Sequence, residues 1–174
     1  MRLLGSWILF SATLGTLGIA PAQNSNPPQT QPVITLNISA VQKSIKAGSS
    51  VQIRVNLKNI SSHDIALVME VKGRDCRVDV RDADGKLAPE TKLGYVWNGH
   101  VASPDPSRVS PQDLTGNLVY GTLKAGETQS WQMDVSKLYE LKQPGRYTIQ
   151  VERKDPENPS ITVKSNTITV TVTP

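Results

Sequence analysis

The sequence predicts an all-β protein, an immunoglobulin-like antiparallel β-sandwich of about seven to nine strands. Apolar and polar residues alternate along many short segments, as they do in strands with one buried face. Gly, Pro, Asp and Asn separate these segments at the spacing of turns, and almost no segment has a helical pattern. The chain has 174 residues, of which 37% are apolar and 20% charged, so it suits one domain with a substantial core.

The first 22 residues have the pattern of a secretory signal peptide. Arg2 precedes an apolar run from Leu3 to Ala20, and small residues at positions 20–22 predict cleavage before Gln23. The run is about 18 residues long, so an uncleaved membrane anchor is the alternative. No Cys follows the run, which argues against a lipoprotein. We therefore expect a secreted or periplasmic protein without stable membrane insertion after cleavage.

The remaining chain divides into a spacer and one domain. Residues 23–32 contain only Gln, Asn, Ser, Thr and Pro, so they are predicted to be a disordered spacer. The β-sandwich domain is predicted at residues 33–174. Its single Cys excludes an intrachain disulfide framework. The chain's formal net charge of +4 is too modest to indicate a specific polyanion partner.

The first half of the domain alternates strongly between apolar and polar residues. Strands are predicted at residues 34–40, 51–58, 65–71, 76–81 and 86–91, with a further alternating stripe at 93–97. The Asp-Gly pair at residues 84–85 predicts a tight hairpin turn before the fifth of these strands.

The second half begins with the longest predicted loop, residues 98–112, whose three prolines exclude a regular ladder. One helical turn, capped by Ser136, is predicted at residues 136–141. Further strands are predicted at residues 117–123, 128–135, 146–153 and 161–173.

A family resemblance rests on three segments of this second half. Residues 144–149 read Pro-Gly-Arg-Tyr-Thr-Ile, and Tyr147 resembles the tyrosine corner of immunoglobulin-like domains. With residues 123–128 and 133–141, this segment resembles the closing half of bacterial secreted immunoglobulin-like domains. It is similar to the β-domain that precedes the catalytic domain in deuterolysin-type metallopeptidases. It is also loosely similar to the bacterial intracellular proteinase-inhibitor β-sandwich. The resemblance implies a fold rather than a function.

The sequence offers little for catalysis or metal binding. The metallopeptidase motif His-Glu-x-x-His is absent, because Asp64 follows His63 and Val101 follows His100. No nucleophile motif accompanies either histidine. We therefore predict no catalytic residue, no metal site and no cofactor. A Ser, His and Asp brought together only in space is the remaining catalytic alternative.

Two further features have a plain structural interpretation. Cys76 is a free thiol. If its side chain is exposed, it joins two chains through a disulfide or reacts with small disulfides. Its place on an apolar strand face instead favours a buried, inert side chain. Asp82 and Asp84 precede Gly85 as in a calcium loop, yet Leu93 stands where such a loop needs a bidentate Glu. A hairpin turn is therefore favoured.

The candidate binding residues lie around the long loop. Tyr95 and Trp97 form either an exposed aromatic platform or part of the core. His100 and Arg108 of the loop complete the predicted binding set.

A second candidate is the basic character of the first strands, where no acidic residue occurs before Asp64. Such a surface either docks an anionic envelope polymer or is simply a solvated strand face that prevents aggregation. The four basic residues are Lys43, Lys46, Arg54 and Lys58. The basic residues are not interleaved with aromatic ones, so nucleic-acid binding is not expected.

These patterns predict a non-catalytic secreted or periplasmic binding or accessory domain that acts through protein contacts, at a sheet edge or at the 98–112 loop. The alternative is a proteinase inhibitor that inserts the same loop into an active-site cleft. A hydrolase with a spatially assembled site is the third hypothesis. The partner is predicted to be a protein of unknown identity, and the oligomeric state stays open.

Overall fold

The computed structural model describes residues 31–68, 75–100 and 120–174. Within these ranges lie ten strands, one short α-helix and one 3-10 turn, so the predicted all-β class is confirmed. The strands are β1 Ile34–Ala40, β2 Ser44–Lys46, β3 Gln52–Asn59, β4 Ile65–Val68, β5 Cys76–Arg81, β6 Tyr120–Leu123, β7 Thr128–Asp134, β8 Gly145–Lys154, β9 Thr162–Lys164 and β10 Ile168–Thr173. The helix α1 is Lys92–Trp97, and the 3-10 turn is Val135–Lys137.

Two sheets form an immunoglobulin-like sandwich. One has the order β1-β3-β7, and the other has the order β2-β10-β8-β5 with β9 beside β8. Neighbouring strands are antiparallel, except that the short β2 runs parallel to β10. In immunoglobulin terms β1, β3 and β7 occupy the places of strands A, B and E, while β5, β8 and β10 occupy those of C, F and G.

The core lies between the two sheets and follows from the period-two pattern. Alternate residues of each strand are buried, as in β3, where Ile53, Val55 and Leu57 have no exposed surface. Val78 and Ile149 are equally enclosed on the facing sheet. Burial of these side chains supplies the main stabilising free energy of the domain.

A bend joins β3 to β4. The segment from β6 to β7 bends at the same place, because β6 pairs with β4 and β7 pairs with β3. Asn59 lies fully buried at this bend. Its Nδ2 donates hydrogen bonds to the backbone carbonyls of His63 and Leu123 at 2.8 and 3.0 Å. Its Oδ1 accepts from both the N–H and the hydroxyl of Ser61. One side chain therefore holds the geometry of the bend.

Side chains from the connections between strands of the second sheet close the edge of β1. Asn166 accepts from the Ile38 N–H at 2.8 Å and donates to the Ile38 carbonyl at 3.0 Å, as a neighbouring strand would. Asp155, which is 1% exposed, accepts from the Val33 N–H at 2.7 Å and so fixes the start of the domain.

The predictions for residues 86–97 were wrong. Residues 86–91 form no strand and make only isolated bridges, Arg81 to Leu87 and Glu90 to Tyr139. The stripe at 93–97 is helix α1, because the Thr91 side chain caps it by accepting from the Gly94 N–H. The predicted tight turn is present, with the Gly85 backbone at φ 78°.

Two predictions in the second half also need correction. The predicted helical turn is a 3-10 turn capped by Asp134 rather than by Ser136, since the Asp134 carboxylate accepts from the Ser136 N–H at 3.1 Å. The predicted strand at 161–173 is two strands, β9 and β10. They separate because Ser165 turns its hydroxyl to accept from the Val151 N–H.

Several predictions concern residues outside the described ranges. These are the signal peptide at 1–22, the spacer up to residue 30, the end of the strand at 69–71, the loop at 101–112, and the strand start at 117–119. In the part of the chain that the structure describes, no helix is long and apolar enough to cross a membrane.

Candidate functional site

The outer edge of β5 is closed by side chains and by one loop amide. The Cys76 carbonyl accepts from the Trp97 indole N–H at 2.9 Å, and the Val80 carbonyl accepts from the Ala88 N–H at 2.8 Å. At Val78 both backbone groups are bonded: Asn98 accepts from the N–H, and the Tyr139 hydroxyl donates to the carbonyl. A strand edge with satisfied groups cannot add a further strand, so this edge is unavailable for β-augmentation.

The segment that covers β5 is docked tightly on the 3-10 turn. The Thr91 N–H and hydroxyl donate to the carbonyls of Leu138 and Lys137 at 2.9 and 2.6 Å. Gly94 lies directly against Leu138, where a Cβ atom would come within 1.8 Å of the carbonyl oxygen. Glycine is therefore required for this close approach.

A hydrogen-bonded cluster of three side chains, Glu90, Asn98 and Tyr139, lies behind this edge. Asn98 accepts from the Val78 N–H at 3.1 Å and donates to Glu90 Oε1 at 2.6 Å and to the Tyr139 hydroxyl at 2.9 Å. The Tyr139 hydroxyl donates in turn to the Val78 carbonyl. His100 Nε2 lies 3.4 Å from Glu90 Oε2. Burial, with a smaller contribution from the Glu90 charge, raises the pKa of Tyr139, so the phenol stays neutral and able to donate.

In front of the cluster lies a cleft of about 450 Å³ on the outer face of β5 and β8. We call it the β5 cleft, and its lining residues are Arg77, Val78, Asp79, Arg81, Leu87, Glu90, Asn98, His100, Tyr139, Gln150, Glu152 and Lys164. Both signs of charge are therefore present on its walls.

The charges of the β5 cleft are only partly paired. Lys164 lies 3.6 Å from Glu152, and Arg81 is bonded to Asp79 at 2.8 Å. Arg77 faces Glu152 in the strand register, yet no carboxylate of the described residues lies within ion-pair distance of its guanidinium. Arg77 is exposed, and within the described ranges its positive charge at the cleft is not balanced by an ion pair.

The predicted binding residues separate in the structure. Tyr95 stacks on His100 with ring centroids 4.7 Å apart, at the side of the β5 cleft. Trp97 is half-buried, packs against the core and uses its indole N–H on the β5 edge. Arg108 lies outside the described residues. Of the predicted residues in the described ranges, His100 thus lines the β5 cleft and Tyr95 stacks on it.

Sequence reasoning missed Arg77, Glu90, Asn98 and Tyr139. The contacts among them join residues that lie far apart in the chain, with Asn98 and Tyr139 separated by 41 positions. Such contacts leave no local pattern. Only the short helix cap at Thr91 gives a signal in sequence, because a Thr before an apolar segment is a known N-cap.

Cys76 and Tyr147 serve the fold rather than the candidate site. Cys76 is a buried free cysteine, and burial, helped by the nearby Asp75 charge, raises the pKa of its thiol to about 12. It is therefore protonated at neutral pH. The Tyr147 hydroxyl donates to the Gln143 carbonyl at 3.0 Å, four residues upstream, which is the contact made in a tyrosine corner.

Neither histidine is bonded to a nucleophile within the described ranges. His63 Nε2 contacts Glu157 Oε1 at 2.7 Å, while the nearby Ser61 hydroxyl donates to Asn59 and to the His63 backbone. Likewise, no group of three or more His, Cys, Asp or Glu side chains is arranged to hold a metal ion in residues 31–68, 75–100 and 120–174.

Comparison with known proteins gives no family. No family model and no curated protein matches the chain. Among solved structures, the CARDB domain of a Pyrococcus furiosus protein, in complex with di-metal ions, is 14% identical with a TM-score of 0.39; the match covers 86% of this chain and 95% of that one. The alkylpurine DNA glycosylase of Pseudomonas fluorescens, bound to DNA containing an abasic site analog, is 11% identical with a TM-score of 0.42.

The match with the Pseudomonas fluorescens glycosylase covers 82% of this chain but only 31% of the glycosylase. A β-glucosidase of Listeria innocua in complex with isofagomine is 16% identical with a TM-score of 0.40, over 81% of this chain and 16% of the enzyme. The immunoglobulin-like assignment therefore rests on the strand order of this chain itself.

Proposed function

We propose that the protein is a secreted or periplasmic, non-catalytic binding or accessory domain that contacts a protein partner through the β5 cleft. The observation that carries the proposal is Arg77, which has no ion pair among the described residues and is exposed at a cleft whose rear wall is fixed by the Glu90, Asn98 and Tyr139 cluster. The wall holds the Glu90 carboxylate in place before a partner arrives, which reduces the entropy lost on binding.

The chemistry of the cleft favours a protein over a small apolar ligand. Positive and negative side chains alternate around the cleft, so a partner surface with the complementary charge pattern gains specificity and a faster association rate. Arginine is among the residues enriched at the centres of protein interfaces. Because the β5 edge is closed, this contact is expected to use side chains rather than an added strand.

The hydrogen bonding of the cluster supports a non-catalytic role. Asn98 and Tyr139 are engaged with the β5 backbone, and Glu90 is engaged with Asn98. General base or nucleophilic catalysis needs a group that is free to reach a substrate. Each of these groups instead holds another part of the fold.

The proteinase-inhibitor hypothesis uses the same region of the molecule. Asn98 and His100 form part of the cleft wall and lie at the start of the predicted 98–112 loop. The rest of that loop lies outside the described residues, so the inhibitor function, like kinship with the metallopeptidase β-domain, stays a prediction. Identification of an endopeptidase as the partner would favour it.

Affinity capture with matched charge reversals tests the proposal. The wild-type chain, Arg77→Glu and the control Arg146→Glu are immobilised and exposed to envelope and secreted fractions of the source organism. Arg146 is also exposed but does not line the β5 cleft. We expect a stoichiometric protein on the wild type and the control, and at least tenfold less on Arg77→Glu. Equal capture by all three chains, or no stoichiometric protein, would contradict the proposal.

A further inference from the structure

The outer face of the sheet β1-β3-β7 carries a regular array of nine polar side chains. Strand register places them in three rows across the sheet, and all are exposed except the half-buried Asn56. The rows are Thr35, Lys58 and Thr128; Asn37, Asn56 and Ser130; and Ser39, Arg54 and Gln132. We call this array the outer polar face.

The only charged residues of the outer polar face are Arg54 and Lys58, and both are positive. Neither forms an ion pair with any carboxylate in the described part of the chain. Two carboxylates flank the array. Asp134, at the end of β7 opposite Gln52, accepts from the Ser50 hydroxyl at 2.9 Å, and Glu127, just before β7, accepts from the Lys124 N–H at 2.9 Å. The nine side chains of the array themselves carry two positive charges and no negative one.

The outer face of the opposite sheet has more mixed charges. There Lys164 is paired with Glu152 and Arg81 with Asp79, while Arg77 has no ion pair among the described residues. Mixed charges of this kind are enough to keep a strand surface soluble. The outer polar face combines two cations that have no ion pair within the described ranges with seven uncharged hydroxyl and amide side chains.

We propose that the outer polar face binds an anionic polysaccharide, a polymer of uronic acid units. Such a chain carries one carboxylate per uronic acid and many hydroxyls. Arg54 and Lys58 lie four residues apart on β3, a separation of roughly 13 Å along the strand. A sugar chain that runs along β3 meets both cations with its carboxylates and meets the amides and hydroxyls between them with its own hydroxyls.

Other polyanions fit this face less well. Binding of single-stranded nucleic acid relies on aromatic side chains that stack on the bases, and the array has none. Duplex nucleic acid and anionic lipid surfaces are held by larger clusters of Lys and Arg than two. The polar amide and hydroxyl rows have no role in either case, whereas they match the hydroxyl groups of a sugar.

The affinity for one short segment of polymer is expected to be modest. Each exposed ion pair strengthens binding by less than about fivefold. A polymer presents the same groups repeatedly, so a bound chain can rebind before it diffuses away, and retention exceeds that of a short oligomer. Loss of both cations should weaken binding about tenfold.

Retention on immobilised polygalacturonate tests the inference, with fully methyl-esterified polygalacturonate as the uncharged matrix. The proteins compared are the full wild-type chain, Arg54→Gln/Lys58→Gln, and the control Arg146→Gln/Lys154→Gln. The control also loses one Arg and one Lys, from exposed positions on the opposite sheet that do not line the β5 cleft. Thermal unfolding verifies that both variants are folded.

We expect the wild type to bind polygalacturonate and not the esterified form, the face variant to bind about tenfold more weakly, and the control to stay within about twofold. Equal losses for the two variants would overturn the inference in favour of general charge attraction. Stronger binding to single-stranded oligonucleotide or to anionic phospholipid vesicles would overturn it in favour of those polymers or surfaces. Absence of binding to polygalacturonate would overturn it outright.

Discussion

Removal of the Asn98 side chain is expected to destabilise the domain strongly, because this one amide joins β5 to the rear wall of the β5 cleft. In Asn98→Ala the buried Val78 N–H loses its acceptor, which costs about 1–3 kcal/mol. The half-buried bond to the Glu90 carboxylate, worth about 1.5–3 kcal/mol, is lost as well. We therefore expect a total loss of about 3–5 kcal/mol, a large part of the stability of a domain of this size.

Equilibrium urea unfolding measures this change. With a denaturant slope of about 2 kcal/mol/M, a loss of about 4 kcal/mol lowers the urea midpoint by about 2 M. Amide exchange adds a local readout, since the Val78 amide should exchange much faster in Asn98→Ala. Asn37→Ala, which truncates an exposed asparagine, should stay within about 0.5 kcal/mol of wild type. A midpoint shift below about 0.5 M, with the Val78 amide still protected, would refute the role of Asn98.

Three further predictions use the same unfolding measurement. Asn59→Ala should cost about 3–5 kcal/mol because four side-chain hydrogen bonds hold the bend, and a loss below about 1 kcal/mol would show that the bend forms without them. Gly94→Ala should cost about 3 kcal/mol or prevent folding because of the Leu138 carbonyl, and a wild-type midpoint would contradict the close approach. The raised pKa of the Cys76 thiol, about 12 in the folded chain, means that the unfolded chain loses this proton first, so stability should fall as pH rises from about 9 towards 12. Cys76→Ala should lack that part of the slope, and an unchanged slope would count against a buried protonated thiol.

The strands of the sandwich were predictable because each has one solvated and one buried face. The alternation of apolar and polar residues in β3 and β8 results from this geometry. Both strands lie nearly where the pattern places them. The three-residue β2 is too short to leave a pattern, and it is held by parallel pairing to β10 from far along the chain. Short elements of this kind depend on tertiary contacts rather than on their own sequence.

The helix α1 shows how a period-two pattern can mislead. Leu93, Tyr95 and Trp97 alternate as in a strand, yet the Thr91 cap and the contact of Gly94 with the neighbouring backbone select a helical turn. The same segment explains why the candidate site was only partly predictable. Its aromatic residues stand out in sequence, whereas the acidic, amide and phenol groups of the cluster meet only after the chain has folded.

Site-specific photocrosslinking tests the central claim, that the β5 cleft is the binding surface, most directly. A photoreactive phenylalanine analogue replaces Leu87, an apolar residue on the cleft wall that is 44% exposed. The matched control carries the same analogue at Val41, which is 49% exposed and is not part of the cleft wall. In the native envelope we predict one discrete cross-linked protein from position 87 and none from position 41. Identical products from both positions, or no product from position 87, would contradict the account.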